Sequence, residues 1–220
     1  MEDALPSRFA FDAVIFDLDG LLLDTEAVAL RTGVEAMAAL GHPVPEEVLH
    51  GMVGVDTDTS FAMICDWLGV ALDPVVTKTA LGEAFRAGLA EGVPLKTGVH
   101  AMLDALDRLD LPRAVATNSA TESALWKIGK AGLAGRFDAV VGFDTAGSAK
   151  PEPGVYLTAA RALGIAPARC LAFEDSDLGV RAARAAGMTV VQIPDFLESR
   201  EHLAHHEHRS LTEAMAALGL

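Results

Sequence analysis

The chain predicts an α/β fold, a doubly wound parallel sheet with a small helical cap inserted after the first strand. Three observations carry that prediction. From residue 113 onward, short strand-like runs alternate with Ala-rich helical stretches, the pattern of repeated strand–helix–strand units. About 95 residues separate the first run from the second, far more than one crossover helix needs. Four of the five runs end at or just before polar groups, where sheets of this kind bind ligands, beyond the carboxyl ends of their strands.

The elements follow in order. Residues 13–17 begin as an apolar strand, Ala-Val-Ile-Phe, that runs into Asp17-Leu-Asp19-Gly20. Helical periodicity then covers 27–40, 46–52, 59–68 and 74–90, with breaks at Gly41-His42-Pro43, across 51–56 and at Gly69. No strand pattern occurs there, so residues 25–91 read as a helical cap domain, and residues 1–24 with 92–220 as the core domain. Residues 99–109 are the crossover helix into a second strand at 113–117. Strands at 139–143, 170–174 and 189–193 alternate with helices at 122–131, 154–163 and 178–186. Residues 211–218 form a terminal amphipathic helix. The stretch 200–209, rich in charge and His, reads as a solvated helix face, and Trp67 and Trp126 as packed residues of cap and core.

Composition narrows the function. The 220 residues are 51% hydrophobic but only 5% aromatic, so the core is built from Ala, Leu and Val. A net charge of −14 argues against a nucleic-acid partner, though one Lys and a metal ion can still hold a small phosphorylated substrate. Cys65 and Cys170 are too few and too separated for a disulfide framework or a zinc site, and both are expected to be reduced and buried. The acidic start and the lack of an apolar run of about 20 residues point to a cytoplasmic chain with no membrane segment. Nothing in the sequence calls for an obligate protein partner.

Four constellations could carry chemistry. Alternation along a strand brings Asp17 and Asp19 to the same side just past its end, and two acids held together are costly unless a cation, a shared proton or a reaction uses them. Taken alone, they could equally cap a helix. Thr117-Asn118-Ser119 can hold a phosphate at a strand–helix junction or serve as an N-cap. Lys150 is pinned in Lys-Pro-Glu-Pro among small residues, and Glu174-Asp175-Ser176 offers either metal carboxylates or another N-cap.

Together these motifs resemble the haloacid dehalogenase-like hydrolase superfamily, within it the β-phosphoglucomutase-like and sugar-phosphate phosphatase group. DLDGLLLDTE at 17–26, TNS at 117–119, KPEP at 150–153 and EDSDLGVRAARAAGM at 174–188 stand in that family's order across nearly the whole chain. The resemblance implies that Asp17 attacks phosphorus to form an aspartyl-phosphate. Asp19 would protonate the leaving oxygen and then deprotonate the hydrolytic water, which calls for surroundings that favour its neutral acid. Mg²⁺ would be held by Asp17, the Asp19 backbone carbonyl and Asp175, with Glu174 a neighbouring partner or a direct ligand. Thr117, the Asn118 backbone and Lys150 would bind the transferring phosphoryl group.

The resemblance also separates subclasses. Dehalogenase members lack the second acid of the first motif, so Asp19 favours phosphoryl chemistry. β-Phosphoglucomutase carries a His on its first cap helix and a cap Arg that grips a second phosphate; here Ala29 and Thr57 stand at those positions, which favours a phosphatase over a phosphosugar mutase. A non-catalytic phospho-ligand-binding module is the third reading, opposed by the full acid and lysine set. Specificity is assigned to the cap, with Thr25, Glu26 and the acidic turn at 54–58 that includes Thr57 as candidates. The acidic turn suits a sugar or polyol better than a second phosphate, though Asp56 or Thr57 would serve equally as a helix cap.

Overall fold

The computed structural model describes residues 10–52, 57–195 and 198–220. The sheet begins with β1 (Ala13–Phe16), wholly buried along its length, as a parallel strand covered on both faces must be. The helices α1 (Thr25–Ala39), α2 (Glu46–His50), α3 (Thr57–Leu68) and α4 (Pro74–Gly88) follow without an intervening strand. Then come α5 (Val99–Arg108), β2 (Arg113–Ala116), α6 (Thr121–Lys130), β3 (Ala139–Val141), α7 (Phe143–Ala146) and α8 (Gly154–Leu163). A 3₁₀ turn at Pro167–Arg169 leads to β4 (Cys170–Glu174), α9 (Asp177–Ala185), β5 (Thr189–Gln192), β6 (His206–Glu207) and α10 (Leu211–Leu218).

The six strands form one parallel sheet in the order β3-β2-β1-β4-β5-β6. The chain winds outward from β1 to β3, returns to β4 on the other side of β1, and winds outward again. The strand order therefore reverses at β1 and β4, the switch point where such sheets open a crevice. Register aligns the strand ends: Phe16 pairs with Val115 on β2 and Phe173 on β4. The ladder carries one step further through the Asp17 N–H, which donates to the Phe173 carbonyl at 2.9 Å. Each strand thus delivers its next residue to the same edge.

The packing is close and small-residued. Ala13, Ile15, Ala114, Ala116 and Ala172 face Val155, Tyr156, Ala159 and Ala160 of α8 and Val180, Ala182 and Ala183 of α9. With Ala on both surfaces, helix and sheet approach closely, and Tyr156 is the bulkiest member of this cluster to be fully buried. By alternation Phe16 points to the opposite face, where it stacks on Phe173 at 5.3 Å between ring centroids and meets Phe137 edge-on at 6.4 Å.

The chain divides into two compact units, one ending at Leu23 and resuming at Leu95, the other Asp24–Pro94. Among the described residues the elements of the second unit are all helices, with α1 packed along α4. Its core centres on Met37, Val44, Met52 and Ile64, bordered by Leu40, Leu49, Leu68 and Leu81. Asp73 caps α4, accepting from the N–H groups of Val75 and Val76 at 2.8 and 3.0 Å, with Pro74 in the first turn, where its missing N–H has no partner to lose.

Several expectations need correction. The polar stretch 200–209 is not a solvated helix face: residues 206–207 add a sixth strand at the sheet edge. His205 N–H donates to the Val190 carbonyl and His208 N–H to the Gln192 carbonyl, both at 2.9 Å, and the Val190 N–H donates to His205 Nδ1. A backbone ladder at an edge needs no apolar alternation, so the residues carried no strand pattern. The third strand ends at Val141, and Phe143 opens a single helical turn instead. Trp67 and Trp126 are not packed inside but are 49% and 37% exposed, and Cys65 is half-buried where Cys170 is buried. No helix among the described residues is long and apolar enough to cross a membrane.

The Ala-lined contact between sheet and α9 sets the fold's main sensitivity. Ala182→Leu forces extra methylenes into a filled layer and is expected to destabilise the protein by about 1–3 kcal/mol in urea unfolding; an unchanged midpoint would contradict this packing.

Candidate active site

Two clusters, the first buried and the second partly buried, sit at the sheet edge where β1, β2 and β4 end. The first is built on Lys150. Its ammonium donates to Asp17 Oδ1 and, at 2.5 Å, to Glu174 Oε1. All three groups are buried, and Glu174 is 0% exposed. The Tyr156 hydroxyl also donates to Glu174 Oε1, while Glu174 Oε2 accepts from the backbone N–H of Asp175 at 3.2 Å and the Ser176 hydroxyl at 3.3 Å. Glu174 is therefore occupied on both oxygens as the anchor of Lys150, at the last position of β4.

Loop chemistry brings Lys150 there. Its backbone N–H donates to Asn118 Oδ1 at 2.7 Å, and Asn118 Nδ2 donates back to the Lys150 carbonyl at 3.4 Å. Asn118 thus clamps the Lys-Pro-Glu-Pro loop to the end of β2 by its side chain. Thr117 is buried beside it, with its hydroxyl accepting from the Ser119 N–H at 3.0 Å. The N-cap reading of Glu174-Asp175-Ser176 holds at Ser176, which caps α9 by accepting from the Gly179 N–H, whereas Ala120 precedes α6 without a side-chain cap, so Thr117-Asn118-Ser119 supplies none. Asp175 and Thr117 are consequently not capping residues.

Two glycines make room. Gly20 turns the chain after Asp19 with φ of +88°, and a Cβ there would collide with the Asp175 carboxylate. A Cβ on Gly179 would collide with the carboxylate of Glu174. Both acids reach the first motif only because these positions have no side chain.

The electrostatics are those of a cation site. Asp17, Glu174 and Asp175 each offer a carboxylate oxygen within 4.8 Å of the others. The Lys150 ammonium meets two of these acids, Asp17 and Glu174, and Asp175 lies beside them. Burial pushes the Asp17 carboxyl up to about 7; Lys150 opposes the shift and the neighbouring Glu174 adds to it. Burial alone would lower the Lys150 ammonium, but Asp17 and Glu174 override it and raise it. Burial and the Glu174 charge hold the Tyr156 phenol well above its usual range, so it remains a donor. The all-oxygen donor set suits a hard divalent cation such as Mg²⁺. Asp17 and Asp175 are the carboxylates left to hold it once Glu174 is committed to Lys150 and Tyr156.

The second cluster is built on Asp19. Lys127, on α6, reaches both its oxygens, with Nζ to Oδ1 at 2.6 Å. Ser119 donates its hydroxyl to Asp19 Oδ2 at 2.8 Å and accepts from Lys127 Nζ at 2.8 Å. Neither Lys127 nor Tyr156 stood out in the sequence, and a Lys mid-helix beside Trp126 looks like a surface residue. One signal was available: Lys127 falls on the α6 face that also carries Ala124 and Ile128, both buried.

The remaining candidates belong to the helical unit. Thr25 is buried at the start of α1. Glu26 lines a mostly apolar cavity of about 420 Å³ within that unit, together with Ala29, Gly33, Ile64, Lys78 and Phe85. Residues 53–56 of the acidic turn lie outside the described residues, as does the side chain of Thr57, whose backbone opens α3.

Comparison with known proteins agrees with this architecture. The family model described as haloacid dehalogenase-like hydrolase matches residues 14–193. Fructose-1-phosphate phosphatase YqaB of Escherichia coli (strain K12) is 32% identical over 186 residues, covering 83% of this chain and 96% of that protein. The structure of a family hydrolase from Deinococcus radiodurans R1 with bound phosphate and sodium superposes with a TM-score of 0.82 at 30% identity, covering 96% of each chain. CbbY from Rhodobacter sphaeroides in complex with phosphate gives 0.75 at 29% identity, covering 96% of this chain and 100% of that one. The chain belongs to the haloacid dehalogenase-like hydrolase family, as an enzyme of its phosphoric monoester hydrolase type.

Proposed function

We propose that the protein is a cytoplasmic Mg²⁺-dependent phosphatase that hydrolyses a small sugar or polyol phosphate through an aspartyl-phosphate on Asp17. The observation that carries this reading is the buried Asp17–Lys150–Glu174 cluster with Asp175 beside it, set where the strand order reverses. The named phosphatase relative supports the substrate class, since its printed activity is on fructose 1-phosphate. A phosphosugar mutase is less well supported: Ala29, which lines an apolar cavity, stands where the resemblance places a mutase's cap His.

In this reading an Asp17 oxygen attacks phosphorus, the bond to the leaving oxygen breaks, and Asp19 gives that oxygen a proton. Asp19 then takes a proton from water as the water oxygen attacks phosphorus, and the bond to Asp17 breaks to release phosphate. A divalent cation held by Asp17, Asp175 and the Asp19 carbonyl would supply positive charge to the phosphoryl oxygens. Lys150 orients the nucleophile and offsets its charge, and Glu174 and Asn118 keep Lys150 in place. Thr117 and the backbone at Asn118 offer donors to the equatorial oxygens, where charge develops in such transitions. The helical unit Asp24–Pro94 serves as the cap, with Thr25, Glu26 and Thr57 as candidate specificity residues.

Purified protein is expected to hydrolyse para-nitrophenyl phosphate only when Mg²⁺ is present, and chelation should abolish the rate; metal-independent turnover would remove the reading. Asp17→Asn should lower kcat by at least about 10³-fold, as loss of an attacking nucleophile does, whereas a near-normal rate would reassign the nucleophile.

The acid limb of kcat/KM follows from Asp17. Its carboxylate must be ionised to attack, so activity falls as pH drops through a value raised by burial to about 7. Proton and cation compete for the same oxygens, so raising Mg²⁺ should move this limb to lower pH. A limb that ignores Mg²⁺ would place the titrating group elsewhere.

Gly179→Ala tests the anchor without touching a charged residue. The new methyl displaces Glu174, and kcat should fall by about 10²-fold through a misplaced Lys150. Steady-state kinetics together with a near-native circular dichroism spectrum would show this.

A further inference from the structure

The ammonium of Lys127 is spent entirely inside the molecule. A lysine has three N–H donors, and here they meet Asp19 Oδ1, Asp19 Oδ2 and the Ser119 hydroxyl. The residue is 5% exposed, while the Asp19 side chain it holds is 29% exposed. On its helix it falls with Ala124 and Ile128 among the buried positions. An apolar side chain would fill that position with less desolvation, because burying an ammonium offsets much of what the ion pair returns. Stability therefore gives no reason for a lysine there, whereas the aim of Asp19 does. Ser119 completes a closed triangle, donating to the same carboxylate that Lys127 binds.

We propose that Lys127 is a positioning residue that, with Ser119, sets the direction of the Asp19 carboxyl. This rests on the phosphatase reading, in which Asp19 serves the leaving oxygen and then the water. With both oxygens engaged, Asp19 has one defined orientation before substrate arrives. On reaction, one oxygen turns to the leaving group while Lys127 and Ser119 retain the other. Lys127 touches neither substrate nor metal in this scheme, and its effect passes through Asp19 alone.

The test compares two leaving groups in Lys127→Met, which keeps the stem and removes the charge. On an alkyl phosphate, whose leaving oxygen needs a proton, kcat should fall about 10- to 100-fold with KM changed less than about twofold, the effect of a misaimed group rather than of lost binding. On para-nitrophenyl phosphate, whose leaving group departs unaided, the loss should be smaller by about tenfold. In an Asp19→Asn background, Lys127→Met should lower the residual alkyl-phosphate rate by less than about twofold, as two residues acting through one step do. Ser119→Ala should show the same pattern more weakly, and it carries the test if Lys127→Met fails to fold. Equal losses on both substrates, losses that multiply with Asp19→Asn, a change in KM alone, or no change in rate would each overturn the proposal. A wild-type protein inactive on both esters would instead sink the phosphatase reading beneath it.

Discussion

Everything at the sheet edge depends on one buried ammonium. Lys150 lies between Asp17 and Glu174 in a region closed to water, where an unpaired charge is costly. Its two acids come from adjacent strands, β1 and β4, and its loop is held to the end of β2 by Asn118. The position of Lys150 is therefore fixed by three strands at once. The same arrangement gathers carboxylate oxygens of Asp17, Glu174 and Asp175 within 4.8 Å of one another, an acidic cluster of a kind that could hold a cation.

The second cluster gives the two motif acids different surroundings. Asp17 faces buried charge and is held by Lys150, whereas Asp19 turns to Lys127 and Ser119 on the side of α6. Two residues apart in sequence, the acids share the same strand end but not the same partners. Each of the two acids is thus held by its own lysine.

Much of this was legible in the sequence because strand ends announce themselves. The burial of β1 on both faces wrote an unbroken apolar run, so Asp17 stood out as the first charge after it. Lys150 was visible as the lone cation in a loop of small residues, and Asp175 as an acid after a buried strand. Glu174 was visible too, but its commitment to Lys150 and Tyr156 was not, since that pairing lies across 24 and 18 positions of chain. Tyr156 and Lys127 sit in helices, where one residue gives no sign of which neighbour its polar tip will meet. The strand at 206–207 escaped because its register is set by main-chain bonds to β5, to which side-chain pattern contributes nothing. The exposed indoles of Trp67 and Trp126 show the converse limit, since side-chain size does not decide which helix face is buried.

The topology has a kinetic side. Asp17 and Lys150 stand 133 positions apart, so their pairing closes a long loop of the chain. Such contacts form late, after loop-closure entropy has been met by the packing of intervening elements. Until β4 docks on β1, Glu174 and Asp17 have no reason to lose water, and their repulsion is harmless. Once the strands meet, the acids are buried together and only a correctly seated Lys150 makes that tolerable. Collapsed forms in which the sheet has closed with its loops misplaced would bury these acids without their ammonium, and the charged cluster penalises them for that reason.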